Sequence, residues 1–72
     1  MIISNLFAIW TARELADGSR LRYRDVAAAT GMSSATLVSW KLDRVKRFDK
    51  ASIETLCQYF DCEVADLIVR RA

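Results

Sequence analysis

The chain has 72 residues, a formal net charge of +2, no proline and two glycines, which is length for one small domain and excludes a second. With 53% apolar and 28% charged residues, it has the composition of a packed globular protein and not of a disordered chain. Because so short a chain buries only about 60% of its unfolded surface, a disulfide, a metal or a partner subunit is expected to add stability.

Ile3, Leu6, Phe7, Ile9 and Trp10 recur at three- and four-residue spacing, and Asp17-Gly18-Ser19 has the character of a C-cap and turn. Together they predict a first helix over about residues 4–16. A second, over about 23–30, carries Val26, Ala27 and Thr30 on one face and stops at Gly31, the residue best able to take a left-handed conformation. Ser33 is a good N-cap, so a third helix is expected over about 34–42. Asp49 can cap a fourth, in which Ile53, Leu56, Cys57 and Phe60 fall at i, i+3, i+4 and i+7. Val64, Leu67 and Ile68 predict a short fifth turn. No run alternates with period two, so the expected fold is all-α, a compact bundle of about five short helices, with Met1-Ile2-Ile3 and Ile68-Val69-Arg70 each able to form a few residues of strand.

The same residues exclude several kinds of function. There is no histidine, and Cys57 and Cys62 are too few ligands for a structural zinc site, so no metal or other cofactor is expected. If both cysteines sat on one helix, they would lie about 140° apart, poor geometry for a disulfide, and they read as thiols packed in the core. The carboxylates are scattered among basic and polar neighbours, and Gly18 and Gly31 form no phosphate loop, so an enzyme is not expected and no small-molecule ligand is inferred. The first residues do not resemble a signal peptide and no apolar run approaches a membrane span, which points to a cytoplasmic protein with no membrane partner. By elimination, a homodimer is the expected stabilising device, through the chain ends where Ile2, Ile3, Ile68 and Val69 leave apolar surface.

Two helices joined by a tight turn with glycine form a helix-turn-helix, and Gly31-Met32-Ser33 between the second and third helices fits it. Counting 100° per residue from Ser34, Leu37 lies at about 300° and Trp40 at about 240°, which sets the buried direction of the third helix. Opposite it lie Ala35, Val38, Ser39 and Leu42, with Ser34 at the edge. None is charged, though a helix face turned to water normally carries several charges. Small side chains let a helix sit deep in the major groove of duplex DNA, where serine reaches base edges and Val38 or Ala35 can touch a thymine methyl.

Charge supports this reading against a protein-protein patch. Between Arg20 and Lys50 there are eight basic residues (Arg20, Arg22, Arg24, Lys41, Arg44, Lys46, Arg47, Lys50) and three acidic ones (Asp25, Asp43, Asp49), a net of +5, and the remainder of the chain is −3. A basic half around an uncharged recognition surface suits phosphate contacts flanking a base-reading helix. Arg44, Lys46 and Arg47 follow the third helix, and Arg22 and Arg24 bracket the start of the second, whose free N–H groups also favour a phosphate. Tyr23 either hydrogen-bonds a phosphate there or packs on the turn.

With these residues in view, the chain resembles the small single-domain branch of the Cro/C1-type helix-turn-helix family. The likeness runs from Tyr23-Arg24-Asp25-Val26-Ala27-Ala28-Ala29-Thr30-Gly31-Met32-Ser33 through Thr36-Leu37, Trp40 and Val45-Lys46-Arg47-Phe48-Asp49. It ends in Leu56-Cys57 and Asp61-Cys62-Glu63-Val64-Ala65-Asp66-Leu67-Ile68. The resemblance covers roughly residues 21–68 and implies a λ-repressor-like five-helix domain; with the whole chain, 1–72, as that one domain, the expected function is a DNA-binding transcriptional regulator, a repressor that occupies an operator of two half-sites as a dimer. Carried over by position, Ser34, Ala35, Val38 and Ser39 would face the bases, and Tyr23, Arg44, Lys46 and Arg47 would contact the backbone, where Arg22, Arg24 and Thr36 are expected to join them. The chain departs from the family at Ser34 and Ala35, which form no bidentate pair with guanine or adenine, so sequence preference would lean on DNA shape and water. The alternative is a protein-interaction module, such as an antitoxin-like partner, that retains the fold.

Overall fold

In the computed structural model, which describes residues 1–71, the elements follow in the order β1 (Ile2–Ser4), α1 (Leu6–Asp17), α2 (Tyr23–Thr30), α3 (Ser34–Lys41), α4 (Lys50–Phe60), α5 (Val64–Leu67) and β2 (Ile68–Arg70). The helices start and stop where local chemistry directs. Asp49 Oδ2 accepts the Ser52 N–H at 2.9 Å at the head of α4, and Gly18 and Gly31 take φ of 68° and 77° at the ends of α1 and α2. At α5 the Glu63 N–H donates to Asp66 Oδ2 at 3.1 Å.

The first helix begins at Leu6 and not at residue 4, because the preceding chain is extended. β1 and β2 pair antiparallel, Ile2 with Arg70, Ile3 with Val69 and Ser4 with Ile68. Asn5 continues the tie, its N–H donating to the Leu67 carbonyl at 2.7 Å and its Nδ2 to that of Asp66 at 3.1 Å. The chain ends therefore satisfy much of each other: Ile3, Ile68 and Val69 are half-buried, and Met1 and Ile2 stay exposed. All-α describes the bulk of the domain, with this small sheet closing it.

Every helix contributes to one core of Leu6, Trp10, Val26, Leu37, Trp40, Leu56, Phe60 and Leu67. Trp10 is its hub. The indole lies 4.9 Å from the Tyr23 ring and 5.8 Å from Phe60, and its Nε1 donates to the Leu21 carbonyl at 3.2 Å. Fully burying such a side chain contributes about 1.5–3 kcal/mol, more for an indole. The inward stripe of α1 differs from the sequence expectation at one position. It runs Leu6, Trp10, Arg13, and Phe7 stands 56% exposed, since it lies one step of about 100° from Leu6. Arg13 joins the stripe through its guanidinium, which sits 5.4 Å from the Phe60 ring centre while Nη2 donates to the Tyr59 carbonyl at 3.0 Å.

Cys57 and Cys62 are free, half-buried thiols packed against this core. They do not share a helix. Asp61 takes a left-handed φ of 50° and ends α4 between them, and the Cys62 N–H turns back to the Cys57 carbonyl at 3.0 Å. That six-to-one bond is the Schellman closure, which brings the side chains at its two ends together, so the angle of a continuous helix does not apply.

Candidate nucleic-acid interface

The turn between α2 and α3 is built from hydroxyl groups. Thr30 Oγ1 donates to the Val26 carbonyl at 2.7 Å and accepts the Met32 N–H at 3.2 Å, while the Gly31 N–H closes α2 on Ala27 at 2.9 Å. Ser33 then caps α3, its Oγ accepting the Thr36 N–H at 3.1 Å and lying 2.8 Å from Thr36 Oγ1. Leu37 and Trp40 are buried and hold α3 to the core. Ser34, Ala35 and Thr36 are exposed, Leu42 is exposed, and Val38 and Ser39 are half-buried.

Beyond α3 the chain turns sharply through Asp43, whose φ is 56°. The Arg44 N–H reaches back to the Ser39 carbonyl at 2.7 Å, and Asp43 Oδ1 accepts the Ser4 N–H at 2.9 Å. Val45 and Phe48 pack against the core, Phe48 edge-on to Trp40 at 5.3 Å. Between and before these anchors, Arg44, Lys46 and Arg47 are all exposed. Alternation of anchor and cation thus presents the basic cluster on a segment fixed at three points.

At the start of α2, Arg22 occupies the N-cap position in extended conformation and supplies no side-chain cap. It is exposed, as is Arg24. Arg20, Arg22, Tyr23 and Lys41 line one open cleft of about 590 Å³ together with Glu14 and Leu21. Glu14, the carboxylate in this lining, accepts the Leu21 N–H at 2.8 Å through Oε2. Tyr23 is half-buried, and its ring packs on Trp10 of α1.

Lys41 behaves unlike the other cations of the basic segment. Its Nζ sits 4.7 Å from the Trp10 ring, 5.0 Å from Tyr23 and 5.6 Å from Phe7. Such contacts hold an ammonium by about 0.5–2 kcal/mol each, depending on desolvation. Sequence reasoning counted this residue only as one basic charge among eight. At 100° per residue Lys41 falls at about 340° on α3, between buried Leu37 at about 300° and Ser34, so helical period alone does not say which way it turns.

Among the described residues, no helix is long and apolar enough to cross a membrane, and no cluster of three metal-ligating side chains occurs. A family model described as the Cro/C1-type HTH DNA-binding domain matches residues 13–72 of the chain. Comparison with curated proteins and with solved structures returned no match.

Proposed function

The chain belongs to the Cro/C1-type helix-turn-helix DNA-binding domain family, and from that premise we propose that it is a transcriptional regulator that represses by occupying a double-stranded operator as a dimer. The observation that carries the reading is the outer side of α3, free of charged residues, in a chain whose exposed Arg44, Lys46 and Arg47 follow that helix directly. Ser34, Ala35, Val38 and Ser39 face the base edges. Arg22, Tyr23, Arg24, Thr36, Arg44, Lys46 and Arg47 contact the sugar-phosphate backbone and set the register, which is the usual division of labour in such interfaces. Ser34 and Ala35 provide no bidentate pair, so preference for the operator comes in large part from groove shape and bridging water. The protein acts in the cytoplasm by occupancy and not by chemistry.

The competing reading is a protein-interaction module that kept the fold, and it is favoured by the same lack of long polar side chains at Ser34 and Ala35. Gel shift against fragments of the source genome, followed by sequencing of the bound DNA, separates the two. Regulation at an operator predicts enrichment of a two-half-site sequence and binding that weakens steeply with salt. Absence of any shifted fragment at about 50 mM salt would leave the interaction module standing.

A further inference from the structure

Cations from two separate parts of the chain line the cleft ahead of α2. Arg20 and Arg22 belong to the segment that joins α1 to α2, and Lys41 is the last residue of α3. Tyr23 adds a phenolic hydroxyl to the same lining. The carboxylate there, Glu14, is partly committed, since its Oε2 accepts the Leu21 N–H at 2.8 Å. Three positive charges against one negative leave this lining at +2.

Depth distinguishes Lys41 from the two arginines. Arg20 and Arg22 are exposed, whereas Lys41 is half-buried. Its Nζ lies 4.7 Å from the ring of Trp10, a residue with 0% exposure, and 5.0 Å from that of Tyr23. The ammonium therefore stands low in the cleft, with the arginines at the rim. An ammonium carries three donors, and ring faces hold its charge without supplying an oxygen acceptor. At about 590 Å³ the cleft falls within the usual range for small-molecule sites, about 300–1,000 Å³.

We infer that this cleft binds a small phosphate monoester, its phosphoryl oxygens held between Lys41 below and Arg20 and Arg22 above, with Tyr23 donating from the side. Charge selects the class. A monoester carries about −1.5 to −2 at neutral pH, which matches a lining of +2 better than the single charge of a carboxylate does. The planar fork of arginine suits two phosphoryl oxygens at once. Glu14 has acceptor capacity beyond the Leu21 N–H, and so favours an ester whose organic part bears a hydroxyl, such as a sugar phosphate. A duplex strand is a poorer occupant, because it carries its phosphates on a convex ridge that meets exposed Arg22 without reaching half-buried Lys41. Arg22 and Tyr23 cannot hold ester and DNA together, so a filled cleft weakens operator binding. That consequence rests on the operator reading, and the site itself does not.

Two-dimensional NMR of the isotope-labelled full chain without DNA, titrated with ribose 5-phosphate to about 20 mM, tests the site. Acetate and chloride at matched ionic strength are the controls. The Trp10 indole N–H, bonded to the Leu21 carbonyl at 3.2 Å, and the Leu21 amide should shift and saturate with the ester and not with the controls. Lys41→Met, which keeps most of the packed stem, and Arg20→Gln, at an exposed loop position, should each weaken the ester by about tenfold, the loss of one charge-assisted bond. Lys50→Gln makes the same change of charge outside the cleft and should bind the ester as wild type does. In a second arm, the ester should raise the apparent Kd for an operator fragment more than acetate does. Shifts that do not saturate, shifts matched in acetate, or unchanged ester affinity in Lys41→Met would overturn the inference. So would loss of DNA affinity in Lys41→Met with no response to the ester, which assigns the cleft to the DNA strand. Ester binding with no shifted DNA fragment would remove the operator reading and leave the site standing.

Discussion

Ser4, in the N-terminal strand, is bonded to the end of α3: its Oγ donates to the Trp40 carbonyl at 2.6 Å, and Ser4 is 5% exposed. Its N–H also donates to Asp43 Oδ1 at 2.9 Å. One small residue near the start of the chain therefore bonds a carbonyl in the last turn of α3 and fixes the turn that launches the basic segment.

Removing that hydroxyl leaves the Trp40 carbonyl with only the Asp43 N–H at 3.3 Å and takes from the buried Leu6 N–H its acceptor at 3.4 Å. Ser4→Ala is expected to cost about 1–3 kcal/mol, which lowers the melting temperature of a domain this size by about 4–8 °C per kcal/mol. Calorimetry checks it. Asp43→Ala adds a backbone penalty to the missing bond, because φ at this position is 56°. Asp43→Gly should therefore be the more stable of the two by about 1 kcal/mol.

At the head of α4 the carboxylate of Asp49 is held below its ordinary pKa, first by the backbone N–H of Ser52 and then by the Ser52 hydroxyl. A depressed folded-state pKa means that this contribution to stability is present above the unfolded carboxylate value, about 3.9, and is lost as pH falls through the lower folded value. Asp49→Asn keeps a capping oxygen but cannot titrate. Urea midpoints measured from pH 6 to pH 2 should fall less steeply for the Asn variant than for wild type. Equal slopes would show that the cap does not titrate with folding.

Burial, and then the adjoining Cys57 thiol, push the Cys62 thiol up to about 11. Both oppose the thiolate, so at pH 8 Cys62 should react with iodoacetamide about a hundredfold more slowly than an ordinary cysteine. A raised folded pKa stabilises the fold fully below the unfolded cysteine value and loses that contribution as pH climbs through about 11. Mass spectrometry of the alkylated peptide reports the rate. Labelling at the rate of a free thiol would place Cys62 in open solvent.

For the interface on α3, replacing Arg44, Lys46 and Arg47 together by alanine should weaken duplex binding and make the plot of log affinity against log salt shallower by about 0.9 for each phosphate no longer neutralised. Ser39→Glu places a carboxylate on the uncharged face and should abolish binding while the melting curve stays within about 0.5 kcal/mol of wild type, as for most substitutions away from the core. Fluorescence anisotropy with a labelled operator fragment measures both. Undiminished binding by either variant would remove the corresponding residues from the DNA surface.

Much of this was legible in the residues. The extent of α2, the Gly31 turn, the Ser33 and Asp49 caps and the start of α3 followed from chemistry acting within four residues. The buried pair Leu37 and Trp40 followed from helical period alone. Other features involve partners far apart in the chain. Neither Ser4 nor Asp43 carries a local mark of its bond to the other, and Arg13 reads as a surface cation until Tyr59 and Phe60 lie beneath it. The first helix began two residues late for the same reason, since pairing with β2 holds Ile2–Ser4 extended.

What the amino-acid order determines by itself is the set of helices, the turn that joins α2 to α3, and the gathering of eight cations between Arg20 and Lys50. These depend on backbone preference, capping and composition, which act over one or two turns. Which residues at the margin of each helix's apolar stripe meet the core, and which cations stay in water, is decided only by packing. Tertiary structure turned Phe7 and Leu15 outward, drew the Lys41 ammonium onto three rings, and left Arg44, Lys46 and Arg47 in solvent. The physical reason is that a side chain's environment is set by the neighbours that the fold brings to it, and for these residues most of those neighbours lie many positions away in the chain.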